Sequence, residues 1–200
     1  MNNGEFLSDK ELLIPENMIV MYSKGAFPMA DETGEINWYM PEQRTIIPLD
    51  KFNIPRSLKK YIQNAEFEYE YDKRTIKVVE FCAKRESTWI SDELIEAYIG
   101  LQKLGHLHSV EVYNKSELVG GLYGVTYRGA FFGESMFSIV PQASKCALVK
   151  LIERLIEKDF ILLDVQYQSE HLKMFGSTEI SFDKFAHLLF KALTKDVAFS

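Results

Sequence analysis

A carboxylate and a carboxamide stand two residues apart in Leu163-Asp164-Val165-Gln166, inside the largely apolar stretch Phe160 to Gln168. Side chains alternate along an extended strand, so Asp164 and Gln166 are expected to point to the same side. Buried there, both cost free energy unless they are hydrogen-bonded. Asp164 can accept a bond from the Gln166 amide and leave the Gln166 oxygen facing a substrate amine. The same two residues also suit a pair of purely structural hydrogen bonds. A second candidate is Glu134 in Gly133-Glu134-Ser135-Met136-Phe137-Ser138. Gly133 permits close backbone approach, and alternation puts the Glu134 carboxylate on the same strand face as apolar Met136, unless the glutamate simply faces solvent. The third candidate is Trp89 in Thr88-Trp89-Ile90, just ahead of a helix. An indole at such a junction serves either as a core residue or as a stacking platform for a base.

Other reactive side chains are less well placed. His106 and His108 would share a strand face, but no third ligand is evident, so no metal site is expected. Cys82 and Cys146 have no neighbouring histidine and read as inert, reduced thiols rather than a nucleophile or a disulfide framework. The window Lys51 to Lys60 holds Lys51, Arg56, Lys59 and Lys60 with no acid. If a helix starts near Pro55, Arg56, Lys59 and Lys60 lie on one face, either as a phosphate-contacting patch or as an ordinary solvated surface.

Positioning these groups takes a sheet and helices. Residues 1–50, punctuated by Pro15, Gly25, Pro28, Gly34, Pro41 and Pro48, read as a small, irregular N-terminal subdomain with a brief helix at Asn17 to Lys24. Ala65 to Asp72 alternates Phe67, Tyr69 and Tyr71 with acids, as a half-buried strand does. Arg74 to Lys84 reads as a helix with Ile76, Val79 and Phe81 apolar. Ser91 suits an N-cap for a helix to Leu104, with Gly105 as its stop and Leu94, Tyr98 and Leu101 as its buried stripe. Ser109 to Tyr113, Glu117 to Tyr127 and Ala130 to Phe137 form an antiparallel meander turning at Asn114-Lys115 and Arg128-Gly129. Ser144 to Lys158 is an amphipathic helix presenting Leu148, Leu151, Ile152 and Leu155. A strand at Phe160 to Gln168 and a helix over Ser181 to Val197 follow. The expected class is α+β, a mixed sheet with flanking helices over residues 51–200 beside the subdomain at 1–50. The order of elements is similar to the acetyltransferase-like (GNAT) fold. That fold's cofactor loop, however, is glycine-rich, and Ser138 to Lys145 has no glycine and contains Pro141.

Composition narrows the function further. The 200 residues are 46% hydrophobic, 13% aromatic and 26% charged, which excludes a disordered chain. No apolar run reaches the roughly 18–20 residues that span a bilayer, and Met1 to Glu5 carries no sign of a secretory signal, so a cytoplasmic protein off the membrane is expected. The net charge of −6 argues against an extended nucleic-acid surface. The excess is confined to the first 100 residues, where 12 basic face 18 acidic residues. The acid-free window Lys51 to Lys60 interrupts it there.

Several longer stretches occur in a set order. They are Gly105-His106-Leu107-His108-Ser109-Val110-Glu111-Val112, Glu117-Leu118-Val119-Gly120-Gly121-Leu122-Tyr123-Gly124-Val125, Gly133 to Ser138, Ala143-Ser144-Lys145, Asp164-Val165-Gln166 and Glu170-His171-Leu172. Lys24-Gly25-Ala26-Phe27-Pro28, Arg56-Ser57-Leu58 and Thr88-Trp89-Ile90 precede them. From about residue 22 to 190 the chain thus resembles the leucyl/phenylalanyl-tRNA–protein transferase family. The resemblance implies transfer of Leu or Phe, and less well Met, from its tRNA to the N-terminal Arg or Lys of a protein, which marks it for N-degron proteolysis. It implies no cofactor, the aminoacyl ester being itself the activated donor, and a monomer. Carried over residue by residue, Asp164 and Gln166 orient or deprotonate the amine and Glu134 helps hold it or the aminoacyl-adenosine end. Met136, Leu151 and Leu163 line the side-chain pocket. Trp89 stacks on the adenine, with Tyr98 at the same end, and Arg56, Lys59 and Lys60 meet the tRNA backbone. The chain departs from the family pattern at Met29, where Trp usually follows Phe-Pro at the adenosine end, at Trp38-Tyr39 in place of Trp-Trp, and at Gln63 and Asn64 in the basic helix. Two other classes share these features: a GNAT-fold N-acetyltransferase, disfavoured by the missing glycine loop, and a non-catalytic tRNA- or peptide-binding module, which would not need Asp164 and Gln166 together.

Overall fold

The computed structural model describes residues 9–85 and 88–200. Its elements are α1 (Asp9–Leu12), α2 (Pro15–Ser23), β1 (Phe27–Ala30), β2 (Ile36–Tyr39), β3 (Gln43–Ile46), α3 (Arg56–Asn64), β4 (Phe67–Tyr71), α4 (Thr75–Ala83) and α5 (Asp92–Lys103), followed by β5 (Leu107–Asn114), β6 (Glu117–Tyr127), β7 (Ala130–Ser138), α6 (Ala143–Glu157), β8 (Leu162–Gln166), α7 (Glu170–Lys173), β9 (Thr178–Ser181) and α8 (Phe182–Leu193). Seven strands form one mixed sheet in the order β4-β5-β6-β7-β8-β3-β9, and β1 and β2 form a separate hairpin. This is an α+β fold: a large mixed sheet between helices, with a small N-terminal region. Among the described residues no helix is long and apolar enough to cross a membrane.

Every pairing in the large sheet is antiparallel except β7 with β8. A parallel pair needs a crossover, and α6 supplies it, packing on β5, β6 and β7 through Leu148, Leu151, Ile152 and Leu155, all buried as the sequence pattern requires. Helices α2, α4, α5 and α8 cover the opposite face around Tyr22, Tyr98, Phe132 and Phe185.

Locally encoded elements match expectation. The Ser91 hydroxyl accepts the Leu94 N–H at 3.3 Å at the start of α5. Leu94, Tyr98 and Leu101 are buried, and Gly105 ends the segment at φ 76°. Ser91→Ala is therefore expected to cost about 1 kcal/mol, read as a lower urea midpoint at unchanged slope.

Two expectations need correction. Residues 1–50 are not irregular: α2 starts at Pro15, and three four-residue strands follow. Strands that short, the last of them set between Pro41 and Pro48, show too few alternations to be seen in sequence. The last of them, β3, pairs with both β8 and β9 in the large sheet. The C-terminal helix starts at Phe182 and ends at Leu193, because Thr178–Ser181 first adds the edge strand β9. In α4 the fully buried apolar residues are Val78, Val79 and Cys82. Ile76 and Phe81 are only half-buried.

Candidate functional site

The parallel pairing of β7 and β8 stops at Phe132 opposite Asp164. Beyond it the strands part, and a cavity of about 650 Å³ opens between Gly133–Ser138 on one side and Leu163, Val165 and Gln166 on the other. Leu122, Leu148 and Leu151 give it an apolar floor, Phe81, Lys84, Arg85 and Trp89 one rim, and Ser169 and His171 the other. Six of the sequence candidates meet here: Glu134, Gln166, Met136, Leu151, Leu163 and Trp89.

Glu134 owes its position to an irregularity. Tyr123 pairs with Ser135 and Gly124 with Gly133, so Glu134 is the extra residue of a β-bulge. The bulge breaks alternation. Glu134 and Met136 do not share a face: Met136 packs towards α6, whereas Glu134 reaches the helices on the other side. Its partner strand must lie close, and a Cβ at Gly124 would overlap the Phe131 ring and the Phe132 carbonyl. Tyr22 and Tyr98, both fully buried, donate their hydroxyls to Glu134 Oε1 and Oε2 at 2.9 and 3.1 Å. Desolvation outweighs these two bonds and pushes the Glu134 carboxyl up to about 8. Burial likewise raises both phenols well above their ordinary range, so they remain donors.

Asp164 and Gln166 part company. Asp164 is fully buried and does not line the cavity. Its carboxylate is gripped by Arg44 of β3, Nε to Oδ1 at 2.8 Å and Nη2 to Oδ2 at 2.5 Å. The guanidinium is sandwiched between the Phe27 and Phe185 rings, 4.4 and 4.7 Å from their centroids. Asp164 Oδ1 also accepts a bond from the Gln166 amide, but from its backbone N–H, at 3.0 Å, not from its side chain. Gln166 lies at φ 57° in a tight turn closed by Tyr167 N–H to the Val165 carbonyl at 2.7 Å. This left-handed turn ends the strand's alternation and brings the Gln166 side chain to the cavity, where its Nε2 is buried with no hydrogen-bond partner among the described residues. A residue at such a φ is strained by about 1–3 kcal/mol and persists because its surroundings hold it. Here the Asp164 carboxylate, itself gripped by Arg44, and the pairing of Gln166 with Thr45 of β3 hold it.

The other candidates sit further out. Tyr98 backs Glu134 and has no exposed surface at the cavity. Met29 is half-buried on β1 and does not line the cavity, although the next residue, Ala30, donates its N–H to the Trp89 carbonyl at 3.3 Å. Arg56, Lys59 and Lys60 are exposed on α3 around buried Leu58, so the expected basic face exists. Tyr61 ties that helix to the β7–α6 connection by donating to the Pro141 carbonyl at 3.0 Å. His108 bonds Asp72 and the Gly105 carbonyl, and His106 meets the Thr126 carbonyl, so the two rings serve different partners. Cys82 and Cys146 are buried free thiols, and burial pushes Cys82 up to about 12.

Sequence reasoning passed over Arg44, Tyr22, Lys84, Arg85 and the cavity-facing role of Phe81. Only Arg44 left a trace, a lone cation before the apolar pair Ile46-Ile47, and its partner lies 120 residues away. The sequence profile of leucyl/phenylalanyl-tRNA protein transferases matches residues 46–190, and that of their N-terminal domain matches residues 12–42. Proteins named leucyl/phenylalanyl-tRNA–protein transferase are similar along almost the whole chain. The one from Rubrobacter xylanophilus is 44% identical over 94% of this chain and 99% of its own. That from Salinibacter ruber is 44% identical over 90% and 80%, and that from Rhodopseudomonas palustris 45% over 91% and 82%.

Proposed function

The chain belongs to the leucyl/phenylalanyl-tRNA–protein transferase family, an aminoacyltransferase family, and on that footing we propose that it moves Leu or Phe, and less well Met, from its tRNA to the N-terminal Arg or Lys of proteins, marking them for N-degron proteolysis. The observation that carries this reading is the convergence of Glu134 and the unpartnered Gln166 amide on one apolar cavity beside Trp89. An aminoacyl-adenosine end offers what those groups lack: an apolar side chain for Met136, Leu151 and Leu163, an ester oxygen for Gln166 Nε2 and an adenine for Trp89. The basic face of α3, tied by Tyr61 to the β7–α6 connection whose first residues, Ser138 and Ile139, line the cavity, suits the phosphates of the acceptor stem. The β7–α6 connection does not suit acetyl-CoA. Pro141 has no N–H to offer a pyrophosphate, and no glycine lies between Ser138 and Lys145.

The reaction joins the α-amine to the ester carbonyl carbon and releases the ribose hydroxyl. Because an ester is already activated, positioning and charge stabilisation are what the protein must add. Gln166 Nε2 donates to the carbonyl oxygen as negative charge develops there. Glu134 titrates close to an α-amine, which loses its proton near pH 8. The proton can therefore pass from the ammonium to Glu134 with little free-energy cost, leaving a neutral nucleophile. Asp164 does not touch the substrate in this scheme; it positions Gln166 through the backbone.

Radiolabelled Leu-, Phe- and Met-tRNA incubated with peptides beginning with Arg, Lys, Asp or Glu provide the test. Transfer of Leu and Phe to the Arg and Lys peptides is expected, with Gln166→Ala lowering kcat about 10²–10³-fold. No transfer by the parent would remove the assignment, and a parental rate in Gln166→Ala would remove the role of the amide.

A further inference from the structure

Helix α4 ends at the cavity, where its last turn presents a ring and the two residues that follow it, Lys84 and Arg85, present cations. Phe81 is half-buried and stacks on Phe137 of β7, with centroids 4.8 Å apart and planes 16° from parallel. Lys77 and Lys84 bring their ammonium groups within 5.5 and 5.8 Å of the Phe81 centroid. Lys77 is also paired with Glu80 at 2.8 Å. Lys84 and Arg85 are exposed, line the cavity and have no carboxylate partner among the described residues. Nothing in the transfer step uses these groups, and a stacked ring with free cations beside it is the chemistry that holds one nucleotide of a single strand.

We propose that Phe81, Lys84 and Arg85 form a second nucleotide subsite, which takes the base and phosphate immediately before the terminal adenosine of the tRNA. The proposal rests on aminoacyl-tRNA being the donor substrate. With the ester between Glu134 and Gln166 and the adenine on Trp89, the single-stranded end must leave past the lining of the cavity, and the segment of chain that brings Trp89 to that lining also brings Phe81, Lys84 and Arg85. One face of the ring packs on Phe137, and the cations over the ring are the flexible, exposed side chains of Lys77 and Lys84, which a base of any identity can displace as it stacks. Arg85 is held near the helix end by its Nε bond to the Cys82 carbonyl at 3.2 Å, which leaves the outer guanidinium nitrogens for a phosphate.

The test compares two ligands that share the aminoacyl-adenosine end: tRNA carrying an amide-linked 3′-phenylalanine, and phenylalanyl-adenosine with the same amide. Their affinities are measured directly, so the outcome does not depend on turnover. Phe81→Leu keeps apolar bulk against Phe137 but removes the ring. It should weaken the tRNA about 5- to 100-fold, the loss of one base stack, and phenylalanyl-adenosine less than twofold, with Phe81→Trp restoring the tRNA. Lys84→Gln with Arg85→Gln should flatten the dependence of log affinity on log salt by about 1.4 for the tRNA. Equal weakening of both ligands, or no weakening of the tRNA, overturns the subsite. Failure of the parent to transfer to any peptide would instead overturn the proposed function, so the two readings fail separately.

Discussion

Arg44→Met should cost about 3–5 kcal/mol of stability, because it leaves the Asp164 carboxylate buried and unpaired. Transfer should fall with it, since Asp164 then no longer fixes the Gln166 N–H. Loss of fold and loss of function are separated by a second variant. Replacing both members, Arg44→Met with Asp164→Leu, removes the stranded charge, and an apolar pair of similar size is often as stable as the ion pair it replaces. Between Phe27 and Phe185 a methionine has two rings to pack against, so most of the denaturant midpoint should return. The transfer rate should not return, because Gln166 at φ 57° has lost the acceptor that holds its N–H at 3.0 Å. The rate should stay at least tenfold below the parent. A double variant that folds and transfers at the parental rate would reduce the pair to a structural feature and detach Asp164 from the chemistry.

The same pair shows where the sequence stops being legible. The stripes of α5 and α6, the Ser91 cap and the meander turns depend on neighbours within a few residues, and each lies where its pattern puts it. Six of the residues that line the cavity were nameable too, through the motifs around Trp89, Glu134 and Gln166 and the stripe of α6. What they do there was not. Alternation predicts that Glu134 accompanies Met136 and that Asp164 accompanies Gln166, and both pairs are split, one by a bulge and the other by a left-handed turn at a strand end. A bulge records a mismatch between two strands, so neither strand's sequence displays it alone. Arg44 is further out of reach. It sits on a four-residue strand between prolines, and the carboxylate that defines its purpose belongs to another segment 120 residues on. At Glu134 and Gln166 the residues that escape the local rule are ones that face the cavity.

Glu134 joins stability to chemistry through one proton, and Glu134→Gln separates them. The Glu134 carboxyl is raised from 4.5 to about 8, chiefly by desolvation. A raised carboxyl favours the fold while it is neutral. The stability it contributes is fully present below pH 4.5 and is lost as pH rises through about 8. The parent's denaturant midpoint should therefore decline between pH 5 and 9 by the equivalent of about 2–4 kcal/mol, some of the charge being eased by water in the cavity. Glutamine can keep one phenol as donor to its Oε1 and donate its Nε2 to the oxygen of the other, with no charge to desolvate. That decline should vanish, and the variant should be the more stable protein at pH 8. It should also be the poorer enzyme, since a carboxamide cannot take the proton of the attacking ammonium. Transfer at pH 7 should drop about 10²-fold, and the gap should narrow above pH 9 as hydroxide takes over that proton. Gains in stability and losses in rate moving in opposite directions in one isosteric variant are what a strained, partly desolvated site produces. A Glu134→Gln protein with the parent's rate at pH 7 would leave the carboxyl no part in the proton transfer. One that shared the parent's decline in midpoint would show that some other group titrates there.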